Sequence, residues 1–333
     1  MKINLKWIVL LETALIVLLL VVIAALLKNT SVAPDYTYGL ISPSVASNIL
    51  KSQSFLIFNF NSLQEHLSQV IQANNLDVSM YVQNLRNGKN FAIQGNKGAF
   101  PASLNKIPIA VLILNRIERG ELSYDTPIKI DKTLLGNDSD EIYFENDQLT
   151  VRMLLEKILK ESDNTALQLL LKEVNINDLN NLMTYYDVDA EHSYTYSSES
   201  DMEHNALLTP QSFSNMFLSL YYSTILNAKD SEYVLDLLTN TTLNMNEIAK
   251  LPNNVTVSHK WGYYAASKSP TFDDCGIMYI GNGRILYCIT IRNQTISAST
   301  GILGGIVNNM YLFYNDQTQA LGALKQDFTA STK

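Results

Sequence analysis

Residues 100–114 read FPASLNKIPIAVLIL, and the fold turns on how that stretch is read. Ser103 and Lys106 lie three apart at the head of a run in which Ile107 and Ile109 to Leu114 are apolar. Residues three apart share a helix face, so a helix beginning here sets the Ser103 hydroxyl beside the Lys106 amine. A helix that is apolar all round belongs in the interior. Pro108 falls near its start, where a missing N–H does least harm. The spacing predicts a helix over 102–118. A serine hydroxyl is a weak nucleophile until a base takes its proton. A lysine can be that base if burial and a nearby cation depress its pKa. The helix N-terminus adds N–H groups aimed at developing negative charge. Taken alone, the pair also fits an ordinary helix start with a solvated lysine.

Working outward, two more short elements carry chemistry. Ser162-Asp163-Asn164 sits between expected helices at 150–159 and 164–174. Capping the second helix explains Asp163 or Asn164 by itself. A serine there can also pass a proton to a leaving amine, and an asparagine can orient an amide and the lysine. His259-Lys260-Trp261-Gly262 ends an expected strand over 255–264. A lysine at a strand end beside a cleft attracts a carboxylate, and a glycine lets a substrate backbone approach.

Around these elements the pattern predicts helices at 63–73, 210–226, 230–250 and 300–314. Strands are expected at 77–83, 90–94, 276–280 and 285–292. Arg86-Asn87-Gly88 is a hairpin signal, and Thr209-Pro210 is a helix start. Strands therefore bracket a mostly helical middle. That order predicts an α/β (α+β) domain with an antiparallel sheet formed by N- and C-terminal strands, packed against a helical region.

In order and spacing, the three elements resemble the signature of the serine β-lactamase and penicillin-binding protein (DD-peptidase) superfamily, S-x-x-K, S-D-N and K-T-G. The likeness extends to Phe100-Pro101-Ala102, to Leu149–Leu155, to Thr165-Ala166 and to the hairpin over 276–292. It covers about residues 55–318 and is nearest to the class A branch. The resemblance implies that Ser103 is the nucleophile toward a β-lactam or a D-alanyl peptide carbonyl, activated by Lys106. It implies that Ser162 passes a proton to the leaving nitrogen and that Asn164 orients the substrate amide. Lys260 would supply the field for a substrate carboxylate, and the N–H groups of Ser103 and of Tyr263, after Gly262, would form the oxyanion hole.

Two positions depart from the pattern. Trp261 stands where the family has Thr or Ser, whose hydroxyl binds the substrate carboxylate. The class A deacylating glutamate, in an E-x-x-L-N pattern, has no match between Asp187 and Thr209. Of Glu191, Glu199 and Glu203, Glu199 has the best spacing, while all three also fit a solvated loop. Without a positioned base the acyl-enzyme would persist, which suits a penicillin binder or peptidase better than an efficient lactamase. A non-catalytic wall-binding or sensing module is a third reading, against which stands the complete Ser/Lys/Ser/Asn/Lys set.

The 333 residues carry 17% charged and 47% hydrophobic side chains and a net charge of −8. An acidic chain without a Lys/Arg-rich run argues against nucleic acid as a partner. Trp7 to Leu27 is nearly all apolar, broken by Glu12 and Thr13, and is long enough to span a bilayer. Lys2 and Lys6 precede it, which keeps residues 1–6 cytoplasmic and puts the rest outside. The run exceeds the apolar core of a signal peptide and so reads as an anchor over 7–27, although Ser31-Val32-Ala33 has the small residues of a cleavage site. Residues 28–54 read as a stalk and 319–333 as a tail. The expected protein is a single-pass membrane monomer with an extracytoplasmic hydrolase domain.

Cys275 and Cys288 flank Gly281-Asn282. A two-residue turn at Gly281-Asn282 pairs the two cysteines across a hairpin, whereas one at Asn282-Gly283 sets Cys288 opposite Ile277. His66, His192, His204 and His259 are scattered without ligand spacing, so no metal is expected, and no cofactor is implied.

Overall fold

The structure, a computed structural model, describes Leu40, Phe144 and residues 59–130, 147–186, 208–265 and 269–330, with side chains as far as Asp316. It opens with helix α1 (Asn61–Ala73), then strands β1 (Asp77–Asn84) and β2 (Asn90–Ile93). A 3₁₀ turn, Ala102–Asn105, leads into α2 (Lys106–Glu118). A small ribbon of β3 (Pro127–Lys129) and β4 (Gln148–Thr150) precedes α3 (Val151–Glu156), a π-helical turn (Lys157–Glu161) and α4 (Asn164–Leu171). Then come α5 (Ile176–Tyr185), α6 (Pro210–Tyr221), α7 (Ala228–Leu237) and α8 (Met245–Ile248). Strands β5 (Thr256–Tyr264), β6 (Thr271–Ile280) and β7 (Gly283–Arg292) run into the long helix α9 (Ile296–Ala330).

Five strands form one antiparallel sheet in the order β2-β1-β7-β6-β5, built from both ends of the chain as the element order predicts. Side chains alternate between its faces. Val78, Met80, Val82, Val257, Phe272, Met278, Ile285, Tyr287 and Ile289 pack on one side with α1, α8 and α9. Cys275, Ile277, Tyr279, Leu286 and Cys288 pack on the other with the helical region. At the centre of that region is α2, where Ile107, Ile109, Ala110, Val111, Ile113 and Leu114 are buried. Burying each large aliphatic side chain contributes about 1.5–3 kcal/mol, so this helix anchors the region.

The helix expected over 230–250 is broken. Its last turns split into a 3₁₀ turn (Leu238–Asn240), the segment 241–244 and α8. Thr150 ends β4 and caps α3, its hydroxyl accepting from the Met153 N–H, so that helix starts one residue late. The 164–174 helix stops at Leu171, and β6 begins five residues before the apolar run that signals it. The C-terminal helix is longer at both ends than 300–314 and continues through the expected tail to Ala330.

Between β6 and β7, Gly281 has φ +53° and Ile280 pairs with Gly283. The chain thus takes the Gly281-Asn282 turn, Cys275 faces Cys288, and the two form a disulfide. Of the expected stalk only Leu40 is described. Its N–H donates to the Glu232 carboxylate at 3.0 and 3.1 Å, and its carbonyl accepts from the Tyr279 hydroxyl at 2.7 Å. The apolar stretch 7–27 lies outside the described residues, among which no helix is long and apolar enough to cross a membrane.

Candidate active site

Three chain segments meet where α2 begins. The 3₁₀ turn brings Ser103 to the head of the helix, and Lys106 is its first residue. Ala102, just before Ser103, has φ +43°, a left-handed conformation that alanine adopts only at a cost in strain. The second segment is the turn between the π-helical turn and α4. Ser162 also has a left-handed backbone, with φ +62°. Asp163 caps α4, its carboxylate accepting from the Ala166 N–H at 2.6 Å. That cap fixes where Ser162 and Asn164 point.

Lys106 Nζ joins the two segments. It lies 3.2 Å from Ser103 Oγ, 3.0 Å from Ser162 Oγ and 2.8 Å from Asn164 Oδ1, and it also donates to the Ser162 carbonyl. The amide oxygen and the carbonyl can only accept, so they take two of its hydrogens. In the neutral amine the lone pair is then left for a hydroxyl proton. Lys106 is almost wholly buried, and burial favours the neutral form of a lysine.

The third segment is the edge strand β5. Along it Lys260 and Gly262 face the helical region, while Trp261 and Tyr263 face α1 and α9. Gly262 runs against the turn that carries Ser103. A Cβ there would sit 2.6 Å from the Ser103 N and 2.8 Å from the Ala102 Cβ, so no larger residue fits. Lys260 is fully buried, and its Nζ has no hydrogen-bond partner among the described residues. Burial, reinforced by the charge on Lys106, holds its pKa well below the usual lysine range, with Asp274 pulling the other way. An anion bound beside the two lysines would favour their charged forms.

Trp261 is turned away from this face. Its ring stacks on Phe272 with centroids 5.8 Å apart, and its Nε1–H donates to Thr242 Oγ1 at 3.2 Å. The Tyr263 hydroxyl donates to the Gln294 carbonyl at 3.4 Å, so its place near Gly262 leaves only its backbone for the site. Six of the residues singled out in the sequence, Ser103, Lys106, Ser162, Asn164, Lys260 and Gly262, therefore converge. Glu199 lies outside the described residues. Thr242 was not legible, because the region around it has helical periodicity. The Thr and Asn residues over 239–246, poor in helix propensity, are the local sign of a break.

The pattern of the beta-lactamase enzyme family matches residues 62–311 of this chain. The beta-lactamase VEB-1 of Pseudomonas aeruginosa is 26% identical over 289 residues, covering 80% of this chain and 96% of that protein. Among solved structures, PBP-A superposes with a TM-score of 0.67 at 18% identity, over 77% of this chain and 97% of that one. A beta-lactamase from Chitinophaga pinensis superposes with a TM-score of 0.65 at 18% identity, over 75% and 98% of the two chains. With its serine and lysine joined at the head of a buried helix, this chain belongs to the beta-lactamase enzyme family, a serine hydrolase of the β-lactamase and penicillin-binding protein superfamily.

Proposed function

We propose that the protein is a membrane-anchored, extracytoplasmic, monomeric hydrolase of class A β-lactamase type, acylated at Ser103 by β-lactams. The observation that carries this reading is the Lys106 amine held between the Ser103 and Ser162 hydroxyls and Asn164. Ser103 Oγ attacks the lactam carbonyl carbon as its proton passes to Lys106. The C–N bond breaks as Ser162 gives a proton to the ring nitrogen and regains one from Lys106. Asn164 orients the substrate side-chain amide, and Lys260 attracts its carboxylate. The N–H groups of Ser103 and Tyr263 hold the oxyanion. Water then attacks the ester carbonyl carbon as Glu199 takes its proton, and the C–O bond breaks as that proton is returned to Ser103 Oγ. The disulfide supports the location, since such bonds persist in oxidising compartments.

The test is labelling of the full chain with a fluorescent penicillin, followed in time beside turnover of a chromogenic cephalosporin. Wild type is expected to label and then clear with turnover, Ser103→Ala not to label, and Lys106→Ala to label at least about 100-fold more slowly. Label that stays on Ser103 for hours would replace this reading with that of a penicillin-binding peptidase acting on peptidoglycan stem peptides. Absence of label on wild type would overturn both.

A further inference from the structure

Towards the far end of α2 from Ser103, a cleft opens between α2 and α5. Leu112, Asn115 and Arg116 of α2 line it, with Arg119 just beyond the helix end. Asp178, Asn181, Leu182 and Tyr185 of α5 line the other wall. Both sets follow the three- and four-residue spacing of one helix face. The cavity holds about 290 Å³, near the lower end of the range of about 300–1,000 Å³ for small-molecule sites, which suits a single ring. Leu112, Leu182 and Ile225 give it apolar surface. The side chains of Asn115, Asp178 and Asn181 hold no hydrogen bond among the described residues. Tyr185 is 59% exposed, and its ring rests edge-on against that of Tyr186, with centroids 6.0 Å apart. Tyr186 is fully buried, and its hydroxyl lies 3.2 Å from Ser219 Oγ, so the exposed ring has a firm backing.

Charge decides what this cleft can take. Arg116 Nε lies 3.2 Å and Arg119 Nε 2.7 Å from the Glu121 carboxylate, and Arg116 Nη1 lies 3.1 Å from that of Glu173. Both guanidinium groups are thus matched by acids, which leaves no cation over for an anionic ligand. Asp178 is exposed, where a lone charge holds a cation weakly. A neutral ligand remains. An asparagine amide both donates and accepts, as sugar hydroxyls and acetamido groups do, and a carboxylate accepts from two hydroxyls. An aromatic ring offers its flat face to the C–H side of a pyranose. We infer that the cleft between α2 and α5 binds an N-acetylated hexosamine. The sugar ring lies on Tyr185, its hydroxyls bond Asp178 and Asn181, and Asn115 bonds the acetamido group, whose methyl enters between Leu112 and Leu182. This site is separate from Ser103 and does not depend on the reaction proposed above.

The experiment is a ligand-observed NMR titration of the full chain in detergent with N-acetylglucosamine and its β-linked tetramer. Saturation is expected to pass from the protein to the acetamido methyl. Tyr185→Ala should weaken binding about tenfold and Asn181→Ala about fivefold, while Tyr185→Phe, which keeps the ring, stays within about twofold of wild type. Both positions are exposed, so the thermal midpoints should not move. Maltotetraose, which has hydroxyls but no acetamido group, should bind at least about tenfold more weakly than the tetramer. A tetramer that binds more tightly than the monosaccharide assigns the site to a glycan strand, and equal affinity assigns it to the free sugar. No transfer to either sugar, undiminished binding in Tyr185→Ala and Asn181→Ala, or equal binding of maltotetraose overturns the inference. Penicillin labelling of Ser103, read on the same samples, is expected to match wild type in every variant, so the failure of either reading leaves the other standing.

Discussion

Asp273 pairs with Gly262 across β5 and β6, so its side chain lies on the face that carries the site. It is buried, and Thr290 Oγ1 donates to one of its oxygens at 2.5 Å. Burial pushes its pKa from 3.8 up to about 7, with Asp274 adding to the rise and Thr290 and Arg292 opposing it. The fold therefore prefers the protonated acid, and the unfolded chain releases the proton first. Stability on this account is complete below about pH 4 and is lost as the pH climbs from about 4 to about 7. Denaturant unfolding of wild type is expected to show lower stability at pH 8 than at pH 5. Asp273→Asn should flatten that dependence and be roughly 1–3 kcal/mol more stable than wild type at pH 8. The same loss in both proteins would assign it to other groups. Residues such as Ser103, Lys106, Ser162 and Asn164 could be read in the sequence because their spacing is local and their chemistry depends on it. Asp273 could not, because its setting comes from a partner on another strand, Thr290.

At the scale of elements, α9 approaches α8 through glycine. A Cβ on Gly304 would lie 2.2 Å from the Ile248 carbonyl of α8, whereas one on Gly305 meets nothing within 4 Å. Gly304→Ala is therefore expected to lift α9 from α8 and cost about 1–3 kcal/mol. Gly305→Ala should gain up to about 1 kcal/mol from helix propensity alone. Matching thermal shifts for the two would mean that α9 does not pack as described. Periodicity carried most of the elements, but three and half of a fourth escaped it. Strands β3 and β4 have three residues each, too few to show a period. Helix α5 is rich in asparagine, and it forms because Asn175 caps it while Leu179, Leu182 and Met183 are buried. The first half of β6 holds Asp273 and Asp274, acids that read as a turn until their strand partners are known.

For the molecule as a whole, the disulfide ties β6 to β7 near the middle of the sheet, with Cys275 facing Lys260 on its other side. Closing a loop of this length stabilises by about 2–3 kcal/mol. Cys275→Ser combined with Cys288→Ser should lower the unfolding midpoint accordingly, and reductant should do the same to wild type. Midpoints that ignore reductant would show that the bond adds nothing to the fold.

The sheet has one more consequence. Strand β1 is hydrogen-bonded along its length to β7, with Asp77 opposite Arg292. Ser103, Lys106, Ser162 and Asn164 all leave the ribosome before Lys260 and Gly262 do. A growing chain carries the Ser103–Lys106 pair early but cannot close the wall around it until the last strands arrive, and pairings this far apart in sequence form slowly. The order of synthesis thus leaves the pair unwalled until nearly the whole domain has emerged and docked.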